Sequence, residues 1–151
     1  EVQLIWQSGK YYEESVKAAL AGKDYDYVVQ MPFITRMDMA YKAADLVISR
    51  AGAGSISELC LLGKPALLVP SPNVAEDHQT KNAMALSEKG AALLIPDSEA
   101  VARLIDTAMD IVRNDVLLEK MQQRILSLAQ RDSAARIADI ILEIVAEKKS
   151  K

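Results

Sequence analysis

Up to residue 95, five short runs that are apolar almost throughout alternate with amphipathic ones, and this alternation constrains the fold more than any other feature. The apolar runs cover residues 2–7, 25–31, 45–49, 66–70 and 91–95, and helical patterns occupy 11–21, 36–43, 55–62 and 77–89 between them. Strands this short, without an apolar–polar alternation of their own, belong to a parallel sheet covered on both faces. Strand–helix alternation builds right-handed βαβ units, so the predicted fold is an α/β doubly wound parallel sheet. After Ile95 the pattern is helical only. Ser98 is the expected N-cap of a helix carrying Val101, Leu104, Ile105, Ala108, Met109 and Val112. A second helix is expected over about 116–130. Asp132 or Ser133 caps a third, with Ile137, Ile140, Ile141, Ile144 and Val145 on one face and a frayed tail from Glu147 onward.

The length of 151 residues suits one domain with a real core, and no repeat, low-complexity tract or linker divides it. A net charge of −3 lacks the basic excess of a nucleic-acid binder. The apolar runs are far too short to span a bilayer. The chain opens at Glu1 without Met and without the basic start of a signal peptide, inside a strand-like run, and is expected to be a fragment. A single Cys60 allows no internal disulfide and fits a reducing compartment; its place in an apolar helical run makes it a buried filler.

Three strand-end stretches could carry chemistry. In Ser49-Arg50-Ala51-Gly52-Ala53-Gly54-Ser55-Ile56-Ser57-Glu58 a glycine-containing turn leaves a strand and opens a helix. Such a turn presents unpaired backbone N–H groups and the positive end of a helix dipole, a place for a phosphate or diphosphate. Glu58 has two readings: a ligand for ribose hydroxyls, or the N3 member of a capping box with Ser55, which spacing alone favours. Arg50 is either a ligand at a strand's carboxyl end or half of a surface ion pair. In the second stretch, Pro70 to Ala83, Glu76 or Asp77 opens a helix that carries His78, Gln79 and Asn82 in its first turns. A lone His is more often packed or solvated than catalytic. Without a second His or a Cys pair there is no His/Cys metal site, and the carboxylates show no metal-ligand spacing. The third stretch, Met31-Pro32-Phe33-Ile34-Thr35-Arg36-Met37, is either a plain connection or a turn whose backbone reads a base edge.

Together these stretches resemble the MurG family of bacterial transferases, GT-B enzymes of glycosyltransferase family 28. The motifs that carry the resemblance are Trp6-Gln7-Ser8-Gly9-Lys10, Phe33-Ile34 with Met37 and Tyr41, and Ala44 through Ala53. Ser57-Glu58, Gly63-Lys64-Pro65-Ala66, and Asp77-His78-Gln79-Thr80-Lys81-Asn82-Ala83 complete the set. The resemblance covers only part of the family's carboxyl-terminal, UDP-sugar-binding half. It implies one domain over 1–151, helical from about 98 to 148, that lacks the family's first strand. The family's strand order of 3-2-1-4-5-6 then leaves a gap. The remaining strands are expected to close to a 2-1-3-4-5 order, or another polypeptide to fill the gap.

The resemblance also implies roles. The backbone of Ile34 contacts the uracil, Arg50 lies near the sugar nucleotide, and Gly54 and Ser55 face the diphosphate. Glu58 accepts from the ribose hydroxyls, and His78 and Gln79 contact the donor sugar; many relatives have Gln where His78 stands. The implied activity is the donor-binding half of an inverting transferase that moves N-acetylglucosamine from UDP-N-acetylglucosamine to lipid I, forming lipid II for peptidoglycan. No catalytic residue, metal or tightly bound cofactor is expected in this chain. The catalytic base, the lipid-linked acceptor site and the contact with the cytoplasmic face of the inner membrane belong to an amino-terminal domain that the chain lacks. The chain alone is expected to be inactive and, through the apolar face of its last helix, to self-associate. Two other readings stand beside this one: a non-catalytic UDP-sugar-binding subunit with a separate membrane-anchored partner, and a UDP-sugar 2-epimerase, which would need further acidic and histidine residues.

Overall fold

The computed structural model describes residues 1–73 and 77–149, without the side chains of 147 and 149. In chain order the elements are β1 (Leu4–Gln7), α1 (Glu13–Leu20), β2 (Val28–Met31), α2 (Met37–Ala43), β3 (Val47–Ser49) and α3 (Ala53–Leu62). They continue as β4 (Ala66–Leu68), α4 (His78–Ser87), β5 (Ala92–Leu94), α5 (Asp97–Val112), α6 (Asp115–Leu126) and α7 (Ser133–Lys149). All five expected strands are present. Every strand pair is parallel, as helical crossovers require.

Contacts divide the chain into two units, Glu1–Ala44 and Asp45–Lys151. The first holds a two-stranded sheet in which Leu4 pairs with Val28 and Gln7 with Met31. Val16 of α1 is its buried apolar side chain among the described residues, while Ile5, Trp6 and Val29 are exposed.

The second unit holds a three-stranded sheet in the order β3-β4-β5. Its central strand, β4, is buried at every residue. Leu67 anchors a core with Ile95, Ala108, Ile111 and Met121, against which Leu46, Leu104, Leu117 and Leu118 pack. At about 1.5–3 kcal/mol for each fully buried aliphatic side chain, this cluster carries much of the unit's stability. Gly63 closes α3 at φ 63°, and the N–H groups of Gly63 and Lys64 donate to the carbonyls of Cys60 and Leu59. That is a Schellman turn, which returns the chain to β4.

The structure corrects several expectations. The 2-1-3-4-5 closure needs β1 to pair with β3, and among the described residues it does not. The pairs that form are all between consecutive strands joined by one crossover helix. The single non-consecutive pairing has no such unit to enforce it. Helix α3 starts at Ala53, two residues before Ser55, and α5 starts at Asp97, so Ser98 lies inside the helix rather than capping it. At α6 the cap is Asn114, whose side chain accepts from Leu117 N–H at 3.0 Å. The expected second helix stops at Leu126 rather than 130. Helix α7 continues to Lys149, so residues 147–149 are helical rather than frayed. The expectation that Glu76 opens a helix lies outside the described residues.

Candidate functional site

In the second unit, loops at the carboxyl ends of three neighbouring parallel strands converge. The first, between β3 and α3, is held at each of three successive residues. Arg50 donates from Nη1 to the carbonyls of Val69 (3.2 Å) and Pro70 (3.3 Å), just past β4, and pairs with the carboxylate of Asp97 at the start of α5. Ala51 is fully buried. Its N–H donates to Gln79 Oε1 (3.2 Å) and its carbonyl accepts from Asn82 Nδ2 (3.1 Å). Gly52 is the N-cap of α3 at φ −68°, ψ 146°, and its carbonyl takes the first helical bond, from Ile56 N–H.

This geometry removes the capping-box reading of Glu58. With Gly52 as N-cap, Ser55 sits at N3 and Glu58 three residues further in, so the capping box does not form, and no side chain caps α3. The first-turn N–H groups of Ala53, Gly54 and Ser55 belong to the part of a helix that has no intrahelical acceptor. A Cβ placed on Gly54 would meet nothing within 4 Å, so the helix start faces open space. Gly54, Ser55 and Glu58 lie three and four apart on one helical face, with Glu58 exposed. Ser57 turns elsewhere and donates from Oγ to the Ala53 carbonyl at 2.9 Å.

The loop after β4 is tied to the first. Gln79 Oε1 also accepts from Ser71 N–H at 2.9 Å, so one oxygen bridges both loops. Both its partners are backbone donors, which fixes the amide orientation and leaves Nε2 as the donor that Gln79 can offer a ligand. Asp77 precedes α4 in the left-handed region at φ 52°, unusual for a residue other than glycine. His78 is exposed in the first turn of α4.

In the first unit, Ile34 follows β2 beside exposed Phe33. Its N–H donates to Gln7 Oε1 at 2.8 Å, and the ends of β1 and β2 are laced by Ser8 N–H to the Met31 carbonyl (3.0 Å) and Gln30 Nε2 to Ser8 Oγ (2.7 Å). The Ile34 N–H is therefore engaged by a side chain. Nearby, exposed Arg36 grips Asp38 through Nε (2.9 Å) and Nη2 (2.8 Å), which lowers the Asp38 carboxyl from its usual range.

In one unit the structure thus places Arg50 in the loop after β3, Gly54, Ser55 and Glu58 in the first two turns of α3, and His78 and Gln79 in the first turn of α4; in the other it places Ile34 in the loop after β2. Sequence reasoning missed Gln7, Asp97 and the anchoring bond of Asn82. Each acts through a partner 27 to 47 residues away, which no local spacing signals. A cavity of about 650 Å³ lies elsewhere, lined by Ile56, Cys60, Leu86, Lys89 and Arg131 among others and by none of the six. Among the described residues no three His, Cys, Asp or Glu side chains gather into a metal-holding group, and no helix is long and apolar enough to cross a membrane.

Parallel strands joined by crossover helices make this a doubly wound α/β domain, and its likeness to solved structures places it in the GT-B glycosyltransferase class. The chain belongs to the glycosyltransferase family 28 C-terminal domain family, whose profile matches residues 1–140. It is 57% identical over 148 residues to the UDP-N-acetylglucosamine--N-acetylmuramyl-(pentapeptide) pyrophosphoryl-undecaprenol N-acetylglucosamine transferase of Porphyromonas gingivalis, covering 98% of this chain and 39% of that protein. The transferase of the same name from Cytophaga hutchinsonii is 44% identical over 144 residues, covering 95% and 38%. The chain spans about two-fifths of the length of these relatives. Among solved structures, MurG of Acinetobacter baumannii superposes with a TM-score of 0.82 at 31% identity, over 92% of this chain and 40% of that one. The glycotransferase of kitacinnamycin shares the fold, with a TM-score of 0.69 at 22% identity over 93% of this chain and 34% of that one.

Proposed function

We propose that the chain binds the donor of an inverting transferase that moves N-acetylglucosamine from UDP-N-acetylglucosamine to the lipid-linked muramyl-pentapeptide, converting lipid I to lipid II in cell-wall synthesis. The observation that carries this reading is the uncapped N-terminus of α3 at the carboxyl end of β3, open above Gly54 and flanked by Arg50 and Glu58. In this reading the Ile34 carbonyl accepts from the uracil ring N–H. The N–H groups of Ala53, Gly54 and Ser55 take the diphosphate, and Glu58 accepts from the ribose hydroxyls. His78 and the Nε2 of Gln79 face the donor sugar.

The chemistry is attack by an acceptor hydroxyl on the anomeric carbon. The bond from that carbon to the diphosphate oxygen breaks, UDP leaves with the electron pair, and a base takes the hydroxyl proton. Charge grows on the diphosphate in the transition state. Donors fixed in advance at a helix N-terminus stabilise it without reorganising at the moment of reaction. The base, the acceptor site and attachment to the cytoplasmic face of the inner membrane fall to the three-fifths of the relatives' length that this chain does not span. The chain alone binds donor and does not turn over.

The test pairs two assays. Calorimetric titration should show UDP and UDP-N-acetylglucosamine binding, with the latter favoured over a UDP-hexose that lacks the N-acetyl group. A transfer assay with lipid I should show no product from this chain. Equal affinity for every UDP-sugar removes the donor assignment, and turnover by the chain removes the division of labour.

A further inference from the structure

We propose that Asn82 is a positioning residue for the anion-binding end of α3, acting through the backbone of Ala51; the inference rests on the functional reading above and assigns a role to a side chain outside the donor contacts. Ala51 immediately precedes the Gly52 N-cap. Its N–H and its carbonyl belong to the two peptide planes that flank its Cα. Gln79 Oε1 holds the first at 3.2 Å and Asn82 Nδ2 holds the second at 3.1 Å. With both planes held, neither φ nor ψ of Ala51 can turn.

The two anchors come from α4, three residues apart on one face, and are part-buried. Their chemistry leaves no ambiguity of orientation. Only an oxygen can accept from Ala51 N–H, and only the amide nitrogen can donate to the Ala51 carbonyl.

The anchoring matters because the next residue is a glycine with nothing packed against it. A Cβ on Gly52 would meet no atom within 4 Å, so no side-chain packing limits its φ and ψ, and its carbonyl bond from Ile56 N–H is the hold that remains. Glycine has the widest backbone freedom of any residue. If the peptide plane entering Gly52 were loose, the first turn of α3 could swing about it, and the N–H groups of Ala53, Gly54 and Ser55 would lose their common aim. Asn82 holds that plane. Gln79 holds the preceding one and, through Ser71 N–H, ties the same anchor to the loop after β4.

The test uses Asn82→Ala, and Asn82→Leu in case the smaller side chain unfolds the protein; both remove the donor. UDP and uridine are titrated against wild type and variants by amide NMR shifts, with a thermal midpoint alongside. Loss of aim at the helix start should weaken UDP about 10-fold and leave uridine unchanged, since small misplacements of preorganised groups have large effects. Backbone order parameters of Gly52, Ala53 and Gly54, measured without ligand, should drop below the rigid value of about 0.85. A merely structural role would lower the midpoint with the UDP-to-uridine ratio and the order parameters intact, and that result overturns the proposal. Failure of the wild type to bind UDP overturns the functional reading instead, and the order parameters still decide whether Asn82 holds the helix start.

Discussion

Arg50 and Asp97 are paired at the carboxyl end of the three-stranded sheet, one from the residue after β3 and the other from the first residue of α5. A carboxylate at a helix N-terminus is favourably placed, and here it pairs with an Arg50 guanidinium that also donates to the Val69 and Pro70 carbonyls, just past β4. If the proposed donor site is right, Asp97 competes with the diphosphate for the same cation. Asp97→Asn should cost less than about 1 kcal/mol of stability, because both side chains are partly exposed. It should tighten UDP a few-fold while leaving uridine unaffected. Weaker UDP binding in a folded Asp97→Asn protein would show that the pair orients Arg50 rather than holding it back.

Gly63 offers a stability test far from any ligand. Its φ of 63° suits glycine, and a Cβ there would lie 3.4 Å from Leu126 Cβ and Cδ1. Gly63→Ala should lose about 1 kcal/mol or more in urea unfolding, with the slope unchanged. No loss would mean that the Schellman turn at the end of α3 is not formed.

Burial pushes the Cys60 thiol above its ordinary value of 9.0, with Lys89 opposing by charge. A folded pKa above the unfolded one makes the protonated fold the favoured partner. Stability from this group is full below about pH 9 and is lost as pH rises from there through the folded pKa. Alkylation of Cys60 at pH 8 should be slow in buffer and fast in denaturant. Equal rates in both would contradict the buried placement.

The described side chains of α7 are all exposed, among them Ile137, Ile140, Ile141 and Ile144. An exposed apolar stripe of this length on one helical face is where the expected self-association would fall. Sedimentation velocity should show concentration-dependent association of the chain, abolished by the double change Ile141→Glu and Ile144→Glu. A monomer at every concentration would contradict this.

Much of the fold was legible in the sequence, and the residues show why. Strands such as β4, with Ala66, Leu67 and Leu68 all buried, read as continuous apolar runs, and the helices between them show their period. Helix starts were harder. Ser55 and Ser98 have the chemistry of caps, yet α3 and α5 begin earlier, at Ala53 and Asp97, because the strand-end loops of the sheet fix where each helix begins. Strand pairing across non-consecutive elements was not legible at all. Of the candidate site, the glycine-containing turn that opens α3 could be read from the sequence, whereas spacing alone gave Ser55 and Glu58 a capping box that does not form and left Arg50 open. The bonds from Gln7, Gln79, Asn82 and Asp97 could not be read, since they join loops distant in sequence.

The central claim, that the start of α3 and Glu58 grip a nucleoside diphosphate, is tested most directly by calorimetric titration of UDP into the wild type and Glu58→Ala. Glu58 is exposed and outside the cap, so the substitution should change stability by no more than about 0.5 kcal/mol. If its carboxylate holds the ribose, UDP affinity should fall by about 1.5–3 kcal/mol, the scale of a hydrogen bond to a charged group. Wild-type UDP affinity retained in a folded Glu58→Ala protein would contradict the account.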